Sequence, residues 1–516
     1  MQTILTLDIG TTGTKAALID RTGHLLATGY ADYPTYRQAG NIVEQEPEDW
    51  WRATISALTQ LRQHLAQYSS DNSPLPVLGR DRVGLHAIIL TGQMQDCILL
   101  GCDGALGRAI LYSDSRAQEE AAMLAEKIGY EQLVAITGNE QGASSLLAKW
   151  LWLQRHDPER LAKTNAILLG AHDYIAWKMG DMPGADFTTA STTGLLDLQK
   201  KRWAEPLLAT LGLDYFLLPT LQASGTFAGN LSPEAASQLG LAAGIPILRG
   251  CGDLGATTIG VGAGEVGRLY AYLGTSGWVA GSLEVATPNP QGGIFTLCHP
   301  DPQRFIQVAP MLTAGGNLDW LRTLSITQSP TYQSLNDMAS SVPPGSHGLL
   351  YLPYLAGERS PFSDPQARAC FIGISQQTTQ AEMARAVMEG VALAYRSLQD
   401  AMGADVRNGL FLVGGGAKSA VWSQILADVL GCAVNVVADP SDAGNRGALL
   451  LAGRALGWYD SFSPAPDFFP VAQKFIPNSA NRDLYDALHS VFRDLYPQLK
   501  NSFKQLATLS ARNPIA

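Results

Sequence analysis

The chain opens with apolar runs separated by glycine-bearing breaks. Residues 3–8 are β-favouring, residues 9–13 hold Gly10 and Gly13 around two threonines, and residues 15–20 return to an apolar run. Strand, turn, strand is the predicted order. A second turn at Arg21, Thr22 and Gly23 leads into a third strand over 25–33. From Pro47 the period changes. Trp51, Ile55, Leu58, Leu61 and Leu65 recur at three- and four-residue spacing, one face of an amphipathic helix, and Glu46, Glu48 and Asp49 suit its positive N-terminal end. The polar stretch 67–73 reads as a loop and 83–90 as a buried strand. Further strands are predicted at 97–101 and 166–169, and helices at 115–127 and 146–155.

The second half restarts with the same grammar. A short strand at 245–248 precedes a glycine-spaced helix start over 253–262, and a strand at 268–273 runs into Gly274, Thr275, Ser276 and Gly277 before a return strand at 279–282. Both halves thus hold a strand, a glycine-hydroxyl turn and a second strand, which either an internal duplication or two similar hairpins would produce. Met383, Val387, Val391, Ala394, Tyr395 and Leu398 share one helical face. Leu484, Leu488, Val491, Phe492 and Leu495 share another. Between them a strand at 410–413 runs into Gly414, Gly415 and Gly416, with a helix starting near Ser419. Residues 461–478, rich in proline and phenylalanine, read as an irregular surface segment. Strands alternating with helices argue an α/β architecture. The expected units are residues 1–250, residues 251–460, and a segment 461–516 whose terminal helix packs on the second unit.

Composition narrows the picture. Of 516 residues 46% are hydrophobic and only 16% charged, which excludes a largely disordered chain. The 52 glycines exceed the usual ~7% and point to many tight turns or ligand-facing loops. The net charge of −10 comes without any basic run, so nucleic acid is not an expected partner. No apolar stretch reaches about 18 residues, so no membrane span is expected. The six cysteines form no metal-binding spacing, and zinc is not expected. Scattered thiols and the lack of a signal-like start favour a soluble cytoplasmic protein.

Three glycine-hydroxyl loops each follow an apolar strand: Gly10, Thr11, Thr12 and Gly13 with Lys15 beyond; Gly274 and Thr275 through Gly277; and Gly414, Gly415 and Gly416 through Ser419. Glycine lets a backbone approach phosphate oxygens, which successive N–H groups and hydroxyls can hold. None of the three is a P-loop or a dinucleotide fingerprint. Asp8 closes the first strand directly before its loop. A carboxylate beside a phosphate site makes sense with Mg²⁺ between them, or else it caps the turn. Asp253, flanked by glycines, is either a helix cap or a general base for phosphoryl transfer. Residues 91–96 are expected to be a loop at a strand end, where Gln93 and Gln95 can bond sugar hydroxyls. Asp114 and Arg116 can bond hydroxyls or each other. The histidines stand isolated.

Taken together, residues 3–456 resemble the FGGY carbohydrate kinases. The most specific element is Ala369, Cys370, Phe371, Ile372, Gly373 and Ile374, followed at the family's spacing by Glu382, Met383 and Glu389. The N-terminal pattern is looser, with Lys149 to Leu153 fitting and Leu146 departing. Gly92 to Met94, Ile136 to Asn139, Leu352 to Pro361 and Gly415 to Ser419 bring the chain nearest to the ketopentose kinases within that family. The resemblance implies two ribonuclease-H-like, actin-like ATPase domains with a cleft between them. It implies ATP, Mg²⁺ and a small sugar as ligands, and admits a homodimer. By position it makes Asp253 the catalytic base and Asp8 the aspartate at the phosphate and metal site, with Asp253 also near the metal through water. Met94 and Gln95 match the substrate-binding pair, with Asp114 as a further substrate contact. Gly10, Thr11, Thr12, Lys15, Gly274, Thr275, Gly415, Gly416 and Ser419 are the implied nucleotide contacts. The implied reaction is phosphorylation of D-xylulose at O5, with other sugars or polyols such as ribulose, gluconate or an erythritol-like compound as alternatives, and a non-catalytic actin-like ATPase or sugar sensor as the reading of a different kind. The departure is Gln95, where these kinases carry histidine.

Overall fold

The computed structural model describes residues 2–39, 41–67, 84–289, 292–324, 330–403, 405–464 and 468–512. The loop expected at 67–73 falls almost wholly outside them, as do Val83 and residues 465–467.

The apolar runs of the first half form a six-stranded sheet from β1 (Gln2–Ile9), β2 (Gly13–Asp20), β3 (Leu25–Asp32), β4 (Gly84–Gly92), β5 (Phe227–Asn230) and β6 (Pro246–Gly252), in the order β5-β6-β4-β1-β2-β3. β1, β2 and β3 make an antiparallel meander, β4 and β6 run parallel to β1, and β5 returns antiparallel. The second half repeats this with β7 (Leu269–Leu273), β8 (Gly277–Leu283), β9 (Phe295–Cys298), β10 (Phe305–Met311), β11 (Leu410–Val413), β12 (Val434–Val437) and β13 (Val471–Phe475), in the order β9-β10-β8-β7-β11-β12-β13. Here four antiparallel strands, β9, β10, β8 and β7, one more than in the first sheet, are followed by two strands parallel to β7 and an antiparallel edge. The matching orders and directions favour duplication over two chance hairpins. β13 also corrects the expectation of an irregular 461–478: Val471–Phe475 pairs with β12 through its backbone, although its side chains are mostly exposed and give no alternating pattern to read.

The helix α1 (Pro47–Gln67) covers one face of the first sheet, burying Trp50, Ala57, Leu58 and Leu61 against Leu5, Leu7 and Leu18. The other face is covered from far along the chain. After α2 (Asp253–Thr258), α3 (Gln380–Met402) and α4 (Ala420–Leu430), the helix α5 (Ala443–Ala455) lays Ala448, Leu449 and Ala452 on Ile4, Ala17 and Ile89. α2 and its wider-turn continuation Ile259–Ala263 instead send Val261 and Ala263 to the second sheet, against Tyr270, Ala280 and Val413. The two helices therefore cross between the sheets. They do so on glycine, because a Cβ at Gly260 would overlap the Ala443 carbonyl and one at Gly447 the Ala256 carbonyl. Close helix approach of this kind is open only to residues without a side chain at the crossing.

The terminal helix α6 (Arg482–Arg512) buries Tyr485, Phe492, Tyr496 and Phe503 in the second core, while Leu484 and Val491 of the expected face are exposed. Its apolar residues wrap around the helix, and the aromatic row won because it fills more volume per position. Met383, Val387, Val391 and Leu398 of α3 pack as their spacing predicts.

Candidate active site

Asp8 ends β1, and the loop Gly10 to Thr12 turns directly beyond it. The loop's carbonyls are held from behind: Tyr33 donates its hydroxyl to Gly10 O and its N–H to Thr12 O, and Gln45 Nε2 donates to Thr11 O at 2.7 Å. No backbone hydrogen bond among the described residues uses the N–H groups of Thr11 or Thr12. This is the arrangement that suits an incoming oxyanion. Lys15, on β2 across from Asp8, forms an ion pair with Asp442 that joins the two halves.

The Asp8 carboxylate makes no hydrogen bond among the described residues, so it is not a turn cap. Burial pushes it up to about 7, with the negative charge of Asp253 adding to the shift and Lys15 and His172 opposing it. Asp253 is the first residue of α2 and does not cap it: the N-cap is Gly252, no side chain caps this helix end, and Asp253 Oδ1 accepts only the Leu254 N–H next to it, at 2.7 Å. Burial raises it to about 6, against that N–H and the charge of His172. The helix-cap reading is therefore set aside, and among the described residues the second carboxylate oxygen makes no hydrogen bond, which leaves it open to take a proton. Two repelling carboxylates, one without any donor, fit a divalent cation.

The expected loop over 91–96 is replaced by two strands. β4 runs through Gly92, and the next strand starts at Met94 (Met94–Leu100), with Gln93 alone between them. Gln95 falls in an irregular register of that strand with φ of 64°, a left-handed conformation that costs a non-glycine residue roughly 1–2 kcal/mol. Strain of this kind collects at sites that aim a side chain. Gln95 Nε2 donates to Ser144 O at 3.3 Å. The Met94 sulfur packs on Gly252, the residue before Asp253, leaving no room for a Cβ there. Gln95 then opens onto a cavity of about 330 Å³ shared by both halves, with Asn139, Gln141 and Ser144 on one wall and Phe295, Pro310 and Arg359 on the other. Asn139 ties the walls together, its Oδ1 accepting Thr296 N–H at 2.8 Å and its Nδ2 donating to Thr296 O at 2.9 Å.

Asp114 stands beside this site as a brace. It is fully buried, accepts the Val43 N–H at 2.6 Å and binds the Arg116 guanidinium through both oxygens, and Arg116 also reaches Glu44 at 2.7 Å. No oxygen of Asp114 is left for a substrate hydroxyl. Deeper still, Lys149 is completely buried and donates to Leu111 O at 2.6 Å.

Gly274, Thr275, Gly415, Gly416 and Ser419 converge on a second cavity, of about 620 Å³, together with Asn336. Gly414 holds φ of 99° with its Cα face on the Leu273 backbone, which turns the loop outward from β11. Ser419 caps α4, accepting the Trp422 N–H at 3.1 Å, and donates to Asn336 Oδ1 at 2.7 Å. Gly10, Thr11 and Thr12 do not line this cavity.

One residue passed over in the sequence is central. His172 Nε2 lies 3.2 Å from Asp186 Oδ2 and 3.6 Å from Asp173 Oδ1, all three buried, and these carboxylates raise the imidazole to about 9 although burial alone would lower it. Among the described residues this is the one three-member group with metal-like spacing. Arg249 already pairs with Asp173 and Asp181, and Thr189 donates to Asp186, so the cluster is a neutralised charge network. Its imidazolium lowers the Asp8, Asp96 and Asp253 carboxylates. The signal in sequence was faint, one His–Asp pair inside a helix. Arg359 was visible only within a proline- and glycine-rich stretch.

The N-terminal domain of the FGGY family of carbohydrate kinases matches residues 3–260, and its C-terminal domain matches residues 269–456. The chain is 31% identical to a xylulose kinase of Escherichia coli K12 over 497 residues, covering 96% of this chain and 98% of that protein. A ligand-bound xylulose kinase from Lactobacillus acidophilus superposes with a TM-score of 0.87 at 25% identity, covering 98% of this chain and all of the other. A gluconate kinase from the same organism superposes with a TM-score of 0.88 at 26% identity, over 98% of this chain and 99% of that one.

Proposed function

The chain belongs to the FGGY family of carbohydrate kinases, and from its site we propose that it transfers the γ-phosphoryl group of ATP to O5 of D-xylulose. The observation that carries this reading is the contact between Met94 and Gly252, which sets the sugar-facing pair Met94 and Gln95 next to Asp253. On this reading the terminal hydroxyl of the sugar lies at the free oxygen of Asp253. That oxygen takes the hydroxyl proton while the sugar oxygen forms a bond to the γ-phosphorus and the bond to the ADP oxygen breaks. A carboxylate held near 6 is ionised at neutral pH yet more basic than an ordinary aspartate.

The free N–H groups of Thr11 and Thr12 would receive the transferring oxygens, and the cavity between Gly274 and Ser419 would hold the nucleotide. Asp8, with Asp253 through water, would hold Mg²⁺, which supplies charge neutralisation at the phosphates. Residues 1–250 then carry the first phosphate loop and most of the sugar site, and residues 251–460 the nucleotide.

A second reading, phosphorylation of gluconate, is favoured by the equal likeness to a gluconate kinase; Gln95, a neutral amide, adds no charge attraction for its carboxylate. Steady-state kinetics with Mg-ATP against D-xylulose, D-ribulose, D-gluconate and erythritol separates them. Highest kcat/KM on D-xylulose supports the first reading, and highest on gluconate the second. No turnover of any of the four, with ATP bound, would overturn both.

A further inference from the structure

Arg359 is a cation within the electrostatic reach of Glu358 and Glu140 but in ion-pair contact with neither among the described residues. Among the described residues its guanidinium makes no hydrogen bond and no ion pair, and its one neighbour of note is the Phe295 ring, 5.8 Å from its centre. It nevertheless stands on a rigid support. Glu358 Oε1 accepts the N–H groups of Leu312 at 3.0 Å and Arg359 at 2.8 Å. Ser360 Oγ donates to Gly293 O at 2.6 Å, and Gly293 itself fits only because a Cβ there would overlap the Arg359 carbonyl. A loop braced at three points presents five N–H donors to the cavity that Gln95 lines from the opposite half. Gln95 connects this cavity to the base through its neighbour Met94, whose sulfur packs on Gly252, the residue before Asp253.

Resting on the sugar-kinase reading above, we infer that Arg359 binds the end of the sugar remote from the phosphorylated hydroxyl, donating to an sp² oxygen there. That oxygen is the C2 carbonyl of a ketose or the C1 carboxylate of an aldonate. Arg359 is then the contribution of the second half to sugar binding, and the sugar spans the seam between the halves. A guanidinium suits this role because its planar fork meets carbonyl and carboxylate oxygens directionally. Glu140, which lines the same cavity, supplies the competing explanation: a charge pair across the seam that forms without any sugar.

The test is kinetic, with Mg-ATP, on full-length Arg359→Met, Arg359→Lys and Glu140→Gln. Arg359→Met is expected to raise the sugar KM by about 10- to 100-fold, the range for losing a hydrogen bond from a charged donor, with kcat and the ATP KM within about twofold. Arg359→Lys should recover part of the loss, which also guards against a folding defect in the methionine variant. A loss on D-gluconate alone identifies a carboxylate as the acceptor, a loss on D-xylulose alone a carbonyl, and losses on both the shared sp² oxygen. An unchanged sugar KM in Arg359→Met, on whichever sugar the wild type phosphorylates, overturns the inference and leaves the kinase reading standing. So does an equal rise in Glu140→Gln, which would assign Arg359 to a cross-seam pair. If the wild type phosphorylates neither sugar, the reading falls and the inference with it.

Discussion

A Cβ on Gly444 would stand 2.8 Å from Oδ2 of Asp8, so the first turn of α5 presses its bare backbone against the carboxylate at the end of β1. The two residues lie at opposite ends of the chain and meet because α5 covers the first sheet. Gly444→Ala should fold, since the atom in the way is the movable end of a side chain, but it should push the Asp8 carboxylate aside. Misplacement of a reacting group by about 1 Å costs on the order of 10²-fold in rate. A 10- to 100-fold fall in kcat with a near-native melting temperature is expected. Wild-type kcat would mean that the position of Asp8 has no bearing on the chemistry.

Asp253→Ala removes the proposed base and one hydrogen bond to the Leu254 N–H. Losing the base should lower kcat by about 10²–10⁴-fold, whereas losing that hydrogen bond costs only about 1 kcal/mol of stability. Calorimetry should find ATP affinity retained. A variant with more than a tenth of wild-type kcat would mean that Asp253 is not the base.

The pH profile follows from burial. Asp253 must be ionised to accept a proton, and burial raises it to about 6, so kcat/KM should fall about tenfold per pH unit below that value and level off above it. His172 bears a positive charge through neutral pH and lowers Asp253. His172→Gln keeps a donor for Asp186 but removes the charge, so the acid limb should move to higher pH. A profile that stays in place would show that the charge network serves stability alone.

Gly415 is the place to test the nucleotide cavity. A Cβ there meets nothing within 4 Å and would project into open space, so Gly415→Val should weaken ATP while leaving fold and sugar KM nearly unchanged. Gly274 is less informative, because a side chain there would strike the Tyr272 ring, which stacks on Trp278 at 4.0 Å. Titration calorimetry with ATP reads the difference directly. Undiminished ATP affinity in Gly415→Val would place the nucleotide elsewhere.

Gln95→His should sharpen choice among pentuloses. Histidine tolerates the left-handed backbone at this position better than most residues, so the fold is kept. A mispaired buried polar group costs about 1–3 kcal/mol, so the ratio of kcat/KM for D-xylulose over D-ribulose should rise by roughly 10- to 100-fold. An unaltered ratio would remove Gln95 from sugar recognition.

The candidate base, the glycine-hydroxyl loops and the candidate sugar-facing pair could be named as residues from the sequence. Asp8, Asp253 and the three glycine loops follow strands, and a strand followed by glycine is a local pattern. The expected loop at 91–96 failed for a local reason too: a one-residue link at Gln93 leaves no turn signature between two strands. The exposed Leu484 and Val491 show the same limit, since spacing names a helical face but not which of two faces a core selects.

What the sequence by itself determined is the alternation of strands and helices, the turns that glycine permits, and the chemical types available at each strand end. These depend on φ/ψ preference and on periodicity within a few residues. The tertiary structure alone decided that Lys15 pairs with Asp442, that Asp114 is used up by Arg116 and Val43, that α5 packs its backbone against Asp8, and that Arg359 lines the same cavity as Gln95 from the other half. Each of these joins residues distant in the chain or sets the surroundings of a single charge. Such contacts form only when the burial of whole sheets and helices outweighs the entropy of closing long loops, and no local window of residues contains that sum.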